Sequence, residues 1–199
     1  MIRTGIVMIL VGLACSAIPA AAQTKPSPEA IQKMLEPMKP VAEHQELATL
    51  AGRWTQDVTY SMGGPPMKSS GTVNNRMVLG GRFLISEGSS ANPAGPGMGD
   101  PIVETMSIYG FDRRTKEFTI VHFDTLGTYY VDAAGNRTEP RTVAMRGETL
   151  DDHAGAKAMR KYDMVLKFID ADTYVTEIIF HFPGRAPQTV VSVTHRRLK

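Results

Sequence analysis

Residues 50–60, Leu50-Ala51-Gly52-Arg53-Trp54-Thr55-Gln56-Asp57-Val58-Thr59-Tyr60, contain the only tryptophan of the chain and mark a change in its pattern. Upstream, residues 41–50 have helical spacing that stops at Gly52, a residue type common just past helix ends. Downstream the period is two: Trp54, Val58, Tyr60 and Met62 fall on one face, and Arg53, Asp57, Thr59 and Ser61 on the other. A unique indole at the start of such a strand is either a structural plug or a ligand contact. The segments around it bear on which.

Strand follows strand from here on. Met62-Gly63-Gly64-Pro65-Pro66 is a turn. Period-two or β-rich runs then cover residues 67–79, 81–88, 102–111, 117–124, 128–133, 141–149, 159–169, 173–182 and 187–197. Turn residues separate them at Asp112-Arg113-Arg114-Thr115, Ala134-Gly135-Asn136, Asp170-Ala171-Asp172 and Pro183-Gly184-Arg185. Tight turns between successive strands imply an antiparallel meander, and a long meander removes its exposed edges by closing into a barrel. The expected fold is all-β, a single antiparallel lipocalin-like (calycin-type) barrel of about 8–10 strands over residues 44–199, wide enough to hold one small ligand.

Residues 23–43 form an arm in which Ser27-Pro28-Glu29 carries the cap, proline and early acid of a short helix. Residues 88–101 interrupt the rhythm with four glycines and three prolines. So long a connection is either a lid over the open end or an insert without a fixed role.

The first residues belong to a different class. Arg3, an apolar run over 6–13 and Ala20-Ala21-Ala22 have the order of a secretory signal peptide spanning residues 1–22, too short for a permanent membrane span. The chain is therefore expected to be periplasmic or secreted. Cys15, its single cysteine, lies inside this leader, and Gly12-Leu13-Ala14-Cys15 lacks the leucine usual in a lipid-anchor motif, so an anchor there is disfavoured. With 21% charged residues and a net charge of +2, the chain has no basic stripe beyond the short His195-Arg196-Arg197-Leu198-Lys199 end. Nucleic acid is excluded as a partner on that ground.

Several short motifs, in order and spacing, resemble a bacterial lipocalin-like family, the domain of unknown function 1579. They are His44 with residues 47–54, Leu79-Gly80-Gly81-Arg82-Phe83-Leu84, Tyr109-Gly110-Phe111-Asp112, residues 122–128 and Thr194-His195-Arg196-Arg197. The resemblance covers residues 44–197 and implies a lipocalin-like barrel with no established activity. Against the family's pattern, His122 stands where tryptophan is usual and His195 where tyrosine is common. Gly52-Arg53-Trp54 is also similar to the first-strand signature of lipocalins, which implies an indole closing one end of the barrel under a basic side chain of the last strand. Arg197 is the first candidate for that side chain, because it shares a face with Val191, Val193 and His195, and Arg196 is the runner-up.

The chemistry has few candidates. Leu79-Gly80-Gly81-Arg82 is followed by a strand and not by a helix, so it reads as a hairpin rather than an anion loop. His122 and Asp124 lie two apart on a strand face shared with Phe118 and Ile120, as a general acid–base pair or a mutually satisfied polar network. The candidate ligand contacts are Tyr60, Glu104, His122, Tyr130, Tyr174 and Phe180, and the ligand is a small hydrophobic or amphipathic molecule. An enzyme (isomerase, cyclase or hydrolase) using His122 and Asp124 is the alternative, and a haem held by His122 or His195 a further one. The five histidines have no metal-ligand spacing, so neither a metal nor a cofactor is expected; the Asp151-Asp152-His153 cluster reads as a solvated turn.

Overall fold

The computed structural model describes residues 25, 27–61, 63–95, 99–150 and 158–199. The leader, Met62, residues 96–98 and residues 151–157, His153 among them, lie outside the described residues. Helix α1 (Pro28–Leu35) starts as its sequence dictates: the Ser27 hydroxyl accepts the Ala30 N–H at 3.1 Å, with proline in the first turn. A 3-10 turn (Glu36–Met38) follows it. None of the described helices is long and apolar enough to cross a membrane.

Residues 39–199 form a separate unit. It opens with helix α2 (Ala42–Ala48) and continues as β1 (Gly52–Tyr60), β2 (Met67–Val78), β3 (Phe83–Ala91), β4 (Ile102–Asp112) and β5 (Glu117–Asp124). The second half is β6 (Tyr130–Glu139), β7 (Thr142–Leu150), β8 (Met159–Phe168), β9 (Thr173–His181) and β10 (Gln188–Arg197). Every strand pairs antiparallel with its sequence neighbours, and β10 returns to β1, giving a closed ten-stranded meander barrel. No strand edge is left along the ring, which is how a long meander of period-two strands pairs all its edges.

One expected turn is a strand. Ala134-Gly135-Asn136 lies inside β6, and the chain reverses at Pro140-Arg141 instead. Gly135 is there for a close approach: a Cβ on it would sit 2.1 Å from the Ala144 carbonyl oxygen of β7, so glycine lets the strands pinch together. The β6–β7 ladder ends at Ala134↔Arg146, and beyond that point the Tyr162 hydroxyl donates to the Asp132 carbonyl at 2.6 Å. The 79–82 segment is a tight reversal, with Leu79, Gly80 and Gly81 at φ of 50°, 65° and 80°.

The opening stretch builds the closed end. Trp54 is 1% exposed and pairs in register with Arg197 across β1 and β10. The guanidinium lies 4.0 Å from the indole centroid, while its NH1 and NH2 groups donate to the Ala51 and Thr49 carbonyls at 2.8 Å each and its Nε to the Ala171 carbonyl at 3.1 Å. The cation thus also serves the unpaired carbonyls at the end of α2. The indole Nε1–H and the Asn75 amide both donate to the Leu50 carbonyl, at 2.9 and 3.0 Å. Gly52 has φ +127°, and a Cβ there would meet Arg197 NH1 at 2.9 Å, so both its backbone and its neighbour require glycine. Leu47 and Leu50 add apolar area, the ring of His44 meets Phe111 edge-on at 5.9 Å, and an Arg137–Glu46 ion pair ties α2 to β6.

Candidate functional site

Above this floor the barrel encloses a cavity of about 230 Å³. Its wall is largely apolar, with Val58, Val73, Val103, Ile120, Met164 and Val193 among its residues, and Leu126 stands at the rim. The alternation that points these side chains inward brings polar ones into the same layer from several strands.

One polar cluster lies toward the mouth. Ser107 on β4 faces His122 on β5 across a register pair, and the Ser107 Oγ is 2.8 Å from His122 Nδ1. His122 Nε2 is 3.5 Å from an Asp124 carboxylate oxygen, the outer limit of a hydrogen bond. One imidazole tautomer satisfies both contacts: the serine hydroxyl donates to Nδ1, and Nε2–H points to the carboxylate. Asp124 also accepts the Leu126 N–H at 2.9 Å. The His122 side chain beside it is the main cause that holds the Asp124 carboxyl below the usual carboxylate range. Burial raises the Tyr60 phenol, and the negative charge of Asp124 adds to that, against an opposing hydrogen bond with Ser90. Burial likewise pushes the Tyr109 phenol up to about 12, against its bond with Ser107.

The second cluster is deeper. His195 on β10 is 6% exposed and stacks on Tyr174 with ring centroids 4.0 Å apart and planes inclined by 5°. Its Nε2 lies 3.2 Å from the Thr176 hydroxyl. Its Nδ1 is buried without a hydrogen-bond partner among the described residues, an arrangement that costs roughly 1–3 kcal/mol when nothing else satisfies the atom. Burial drives the imidazole pKa down to about 3, so the ring is neutral. Tyr174 in turn meets Trp54 edge-on at 4.8 Å and accepts from Asn75 at 3.0 Å, which links the cavity to the floor.

Of the residues singled out in the sequence, Tyr60, His122, Asp124 and Tyr174 line the cavity. Glu104 does not: Val103 and Thr105 point inward, and Glu104 stands exposed on the outer face of β4. Tyr130 is also outside. The β5–β6 register sets Val131 opposite His122 and Tyr130 opposite Phe123, leaving Tyr130 59% exposed. Phe180 has the inward phase but lies beyond the cavity lining, against Phe182, with the Arg160 guanidinium 5.6 Å from its ring centroid. Ser107, Tyr109, Gln56 and Thr176 are lining residues that sequence reasoning missed. Each sits on a strand face with the right parity, but only the pairing of strands shows that Ser107 meets His122 directly across the β4–β5 register and that Thr176 meets His195 diagonally across β9 and β10.

Among the described residues no group of three or more His, Cys, Asp or Glu is placed to hold a metal ion. A haem does not fit the cavity. Its 230 Å³ falls below the ~300–1,000 Å³ of pockets for drug-sized ligands, and a tetrapyrrole disc needs more than that.

The family profile described as protein of unknown function (DUF1579) matches residues 39–197. Among solved structures, the crystal structure of Rv2717c from M. tuberculosis superposes with a TM-score of 0.55 at 15% identity, covering 81% of this chain and 100% of that one. A structure of EF1p2_mFAP2b bound to DFHBI gives a TM-score of 0.41 at 10% identity, covering 78% and 98%. At such identities the likeness to Rv2717c is one of fold. No curated protein matches the chain.

Proposed function

The chain belongs to the DUF1579 family, described only as of unknown function, and we propose from the cavity itself that its barrel is an exported carrier or receptor for a small amphipathic molecule. The observation that carries this reading is the enclosed cavity of about 230 Å³, with apolar walls and a few converging polar groups. That combination is what small-molecule sites share: apolar area supplies affinity and a few polar atoms fix orientation. Native mass spectrometry of protein purified without detergent, followed by titration with the small uncharged dye 7-methoxycoumarin, tests it. A bound small molecule or saturable dye uptake that a Val58→Trp substitution abolishes is the expected result. A barrel that takes up nothing overturns the reading.

Export belongs to the proposal and is supported by the leader-like order of residues 1–22. Expression of the whole chain in a bacterium, fractionation and N-terminal sequencing check it: the expected product is periplasmic or secreted and begins at Gln23. Labelling with radioactive fatty acid is expected to leave it unmarked, Cys15 notwithstanding.

A second reading draws on one contact, the 2.8 Å approach of the Ser107 Oγ to His122 Nδ1. A histidine between a hydroxyl and a carboxylate is placed to move a proton, the requirement of an isomerase, cyclase or hydrolase. Turnover of small esters or enolisable ketones that disappears in His122→Gln, while dye binding persists, supports this reading. Unchanged turnover in that variant removes it.

A further inference from the structure

We propose that the cavity selects its ligand by charge: Asp124 at the mouth receives the cationic group of a small apolar amine, and carboxylates and other anions of the same shape are turned away. The inference rests on the binding function proposed above and adds the class of ligand to it.

The charge of the cavity comes from one side chain. No lysine or arginine among the described residues lines it, and Asp124 and Glu177 are the acids beside it. Glu177 faces the other way: Thr176 and Ile178 have the inward phase of β9, so the side chain between them stands on the outer face, where Lys167 meets it at 2.7 Å. Asp124 shares the inward phase of His122 and Ile120. Its partners bring hydrogen bonds without a cation. The Leu126 N–H donates to Oδ1 at 2.9 Å, the Gly127 N–H also serves the carboxyl, and His122 Nε2 is 3.5 Å from Oδ2. In the tautomer that also receives the Ser107 hydroxyl, His122 is a neutral ring. A carboxylate has about four lone-pair sites, so Oδ2 keeps room for an ammonium N–H. The side chain is 32% exposed, open enough for an incoming group to reach it and covered enough for its charge to act on its surroundings. The Tyr60 phenol in the same lining feels that charge, in addition to its own burial.

The arc of wall from β7 to β10 is largely apolar, with Met145, Met164, Leu166, Ile178, Val191 and Val193 along it. An organic cation lays its hydrocarbon part there and keeps its head at Asp124, where an ammonium group completes a charge-assisted pair. A carboxylate of the same shape would lose its water beside a like charge, with no cation to meet it. The volume of about 230 Å³ lies below the range of drug-sized ligands, which keeps the hydrocarbon part small.

Isothermal titration of the purified protein with three probes of one shape tests the inference. Phenethylamine carries an ammonium group, phenethyl alcohol a hydroxyl and phenylacetate a carboxylate. Phenethylamine is expected to bind about tenfold more tightly than the alcohol, the gain from one charge-assisted hydrogen bond, and phenylacetate more weakly than either. Each probe that binds should displace 7-methoxycoumarin, which places it in the cavity. Asp124→Asn is expected to bring phenethylamine down to the affinity of the alcohol while leaving the alcohol and the dye unchanged. Glu177→Gln is expected to alter none of the three. Should Asp124→Asn not fold, added sodium chloride decides the same point on the unaltered protein, by weakening the amine and not the alcohol. Phenylacetate binding as tightly as phenethylamine overturns the inference, as does an amine preference that survives Asp124→Asn or is lost in Glu177→Gln. Uptake of the dye with no preference for the amine refutes selection by charge and leaves the binding function standing. Failure of the dye and of every probe refutes both.

Discussion

The two ends of the barrel treat charge in opposite ways. At the floor, Arg197 has hydrogen bonds to three carbonyls from three of its nitrogens, and Trp54 and Asn75 share a fourth carbonyl. In the wall above, His195 keeps a buried nitrogen without a partner among the described residues, and no lysine or arginine among the described residues lines the cavity that Asp124 faces. Less than the length of β1 separates the two regimes. The floor is not wholly paired either, since Asn75 Oδ1 is buried without a partner among the described residues. What differs is charge, with the guanidinium met by carbonyls at the floor and Asp124 left beside a histidine and backbone N–H groups in the cavity. That difference marks where folding is the task and where recognition is. Substitutions at the floor should therefore act on stability, and substitutions in the cavity on binding.

Breaking the floor has the largest effect. Trp54→Ala removes a fully buried indole, the stack under Arg197 and the contact with Tyr174, and is expected to cost about 3–5 kcal/mol in urea unfolding. Gly52→Ala is expected to cost about 1–3 kcal/mol, because alanine is strained at a φ of +127° and its methyl group displaces Arg197. A loss under about 1 kcal/mol for Trp54→Ala would show that the indole is not what closes the barrel.

Acid probes the link between the two regions. The His195 pKa falls from an ordinary 6.5 to about 3 on folding, so the unfolded chain takes up a proton in this window that the folded one refuses. The resulting stability is complete above pH 6.5 and is lost at up to about 1.4 kcal/mol per pH unit as the pH falls toward 3. Burial also lowers the His44 pKa, with the same sign. Denaturant melts at pH 7, 5.5 and 4.5 should show His195→Phe to be the less acid-sensitive protein; equal slopes would mean that water or protein already satisfies the ring.

The barrel was legible because period two persists through strand after strand, and because residues 191, 193, 195 and 197 share a phase that carries Arg197 to the tryptophan. Parity alone also placed His122 and Asp124 with Ile120. It failed where the answer depended on a neighbouring strand. Tyr130 looks inward until the register pairs it with Phe123, and Gly135 looks like a turn until Ala144 is seen pressing on it. Ser107 and Thr176 carry no signal of their own, since a serine or threonine on a strand is ordinary until a histidine faces it. What a single strand encodes was readable, and what arises between strands was not.

The smallest effect on folding is expected where the effect on binding is large. Asp124→Asn preserves the shape of the side chain and an oxygen to accept the Leu126 N–H, and it loses only the charge. The carboxyl titrates below its ordinary 3.8 in the folded protein. The stability it contributes is therefore present above pH 3.8 and lost as the pH falls through the lowered value, a more acidic window than that of His195. The group is partly open to solvent, so screening keeps that contribution small, under about 1 kcal/mol at pH 7. Melts of Asp124→Asn and the unaltered protein should then nearly coincide at pH 7, in contrast to Trp54→Ala. A loss above about 2 kcal/mol would move Asp124 to the side of the fold and dissolve the division between floor and cavity.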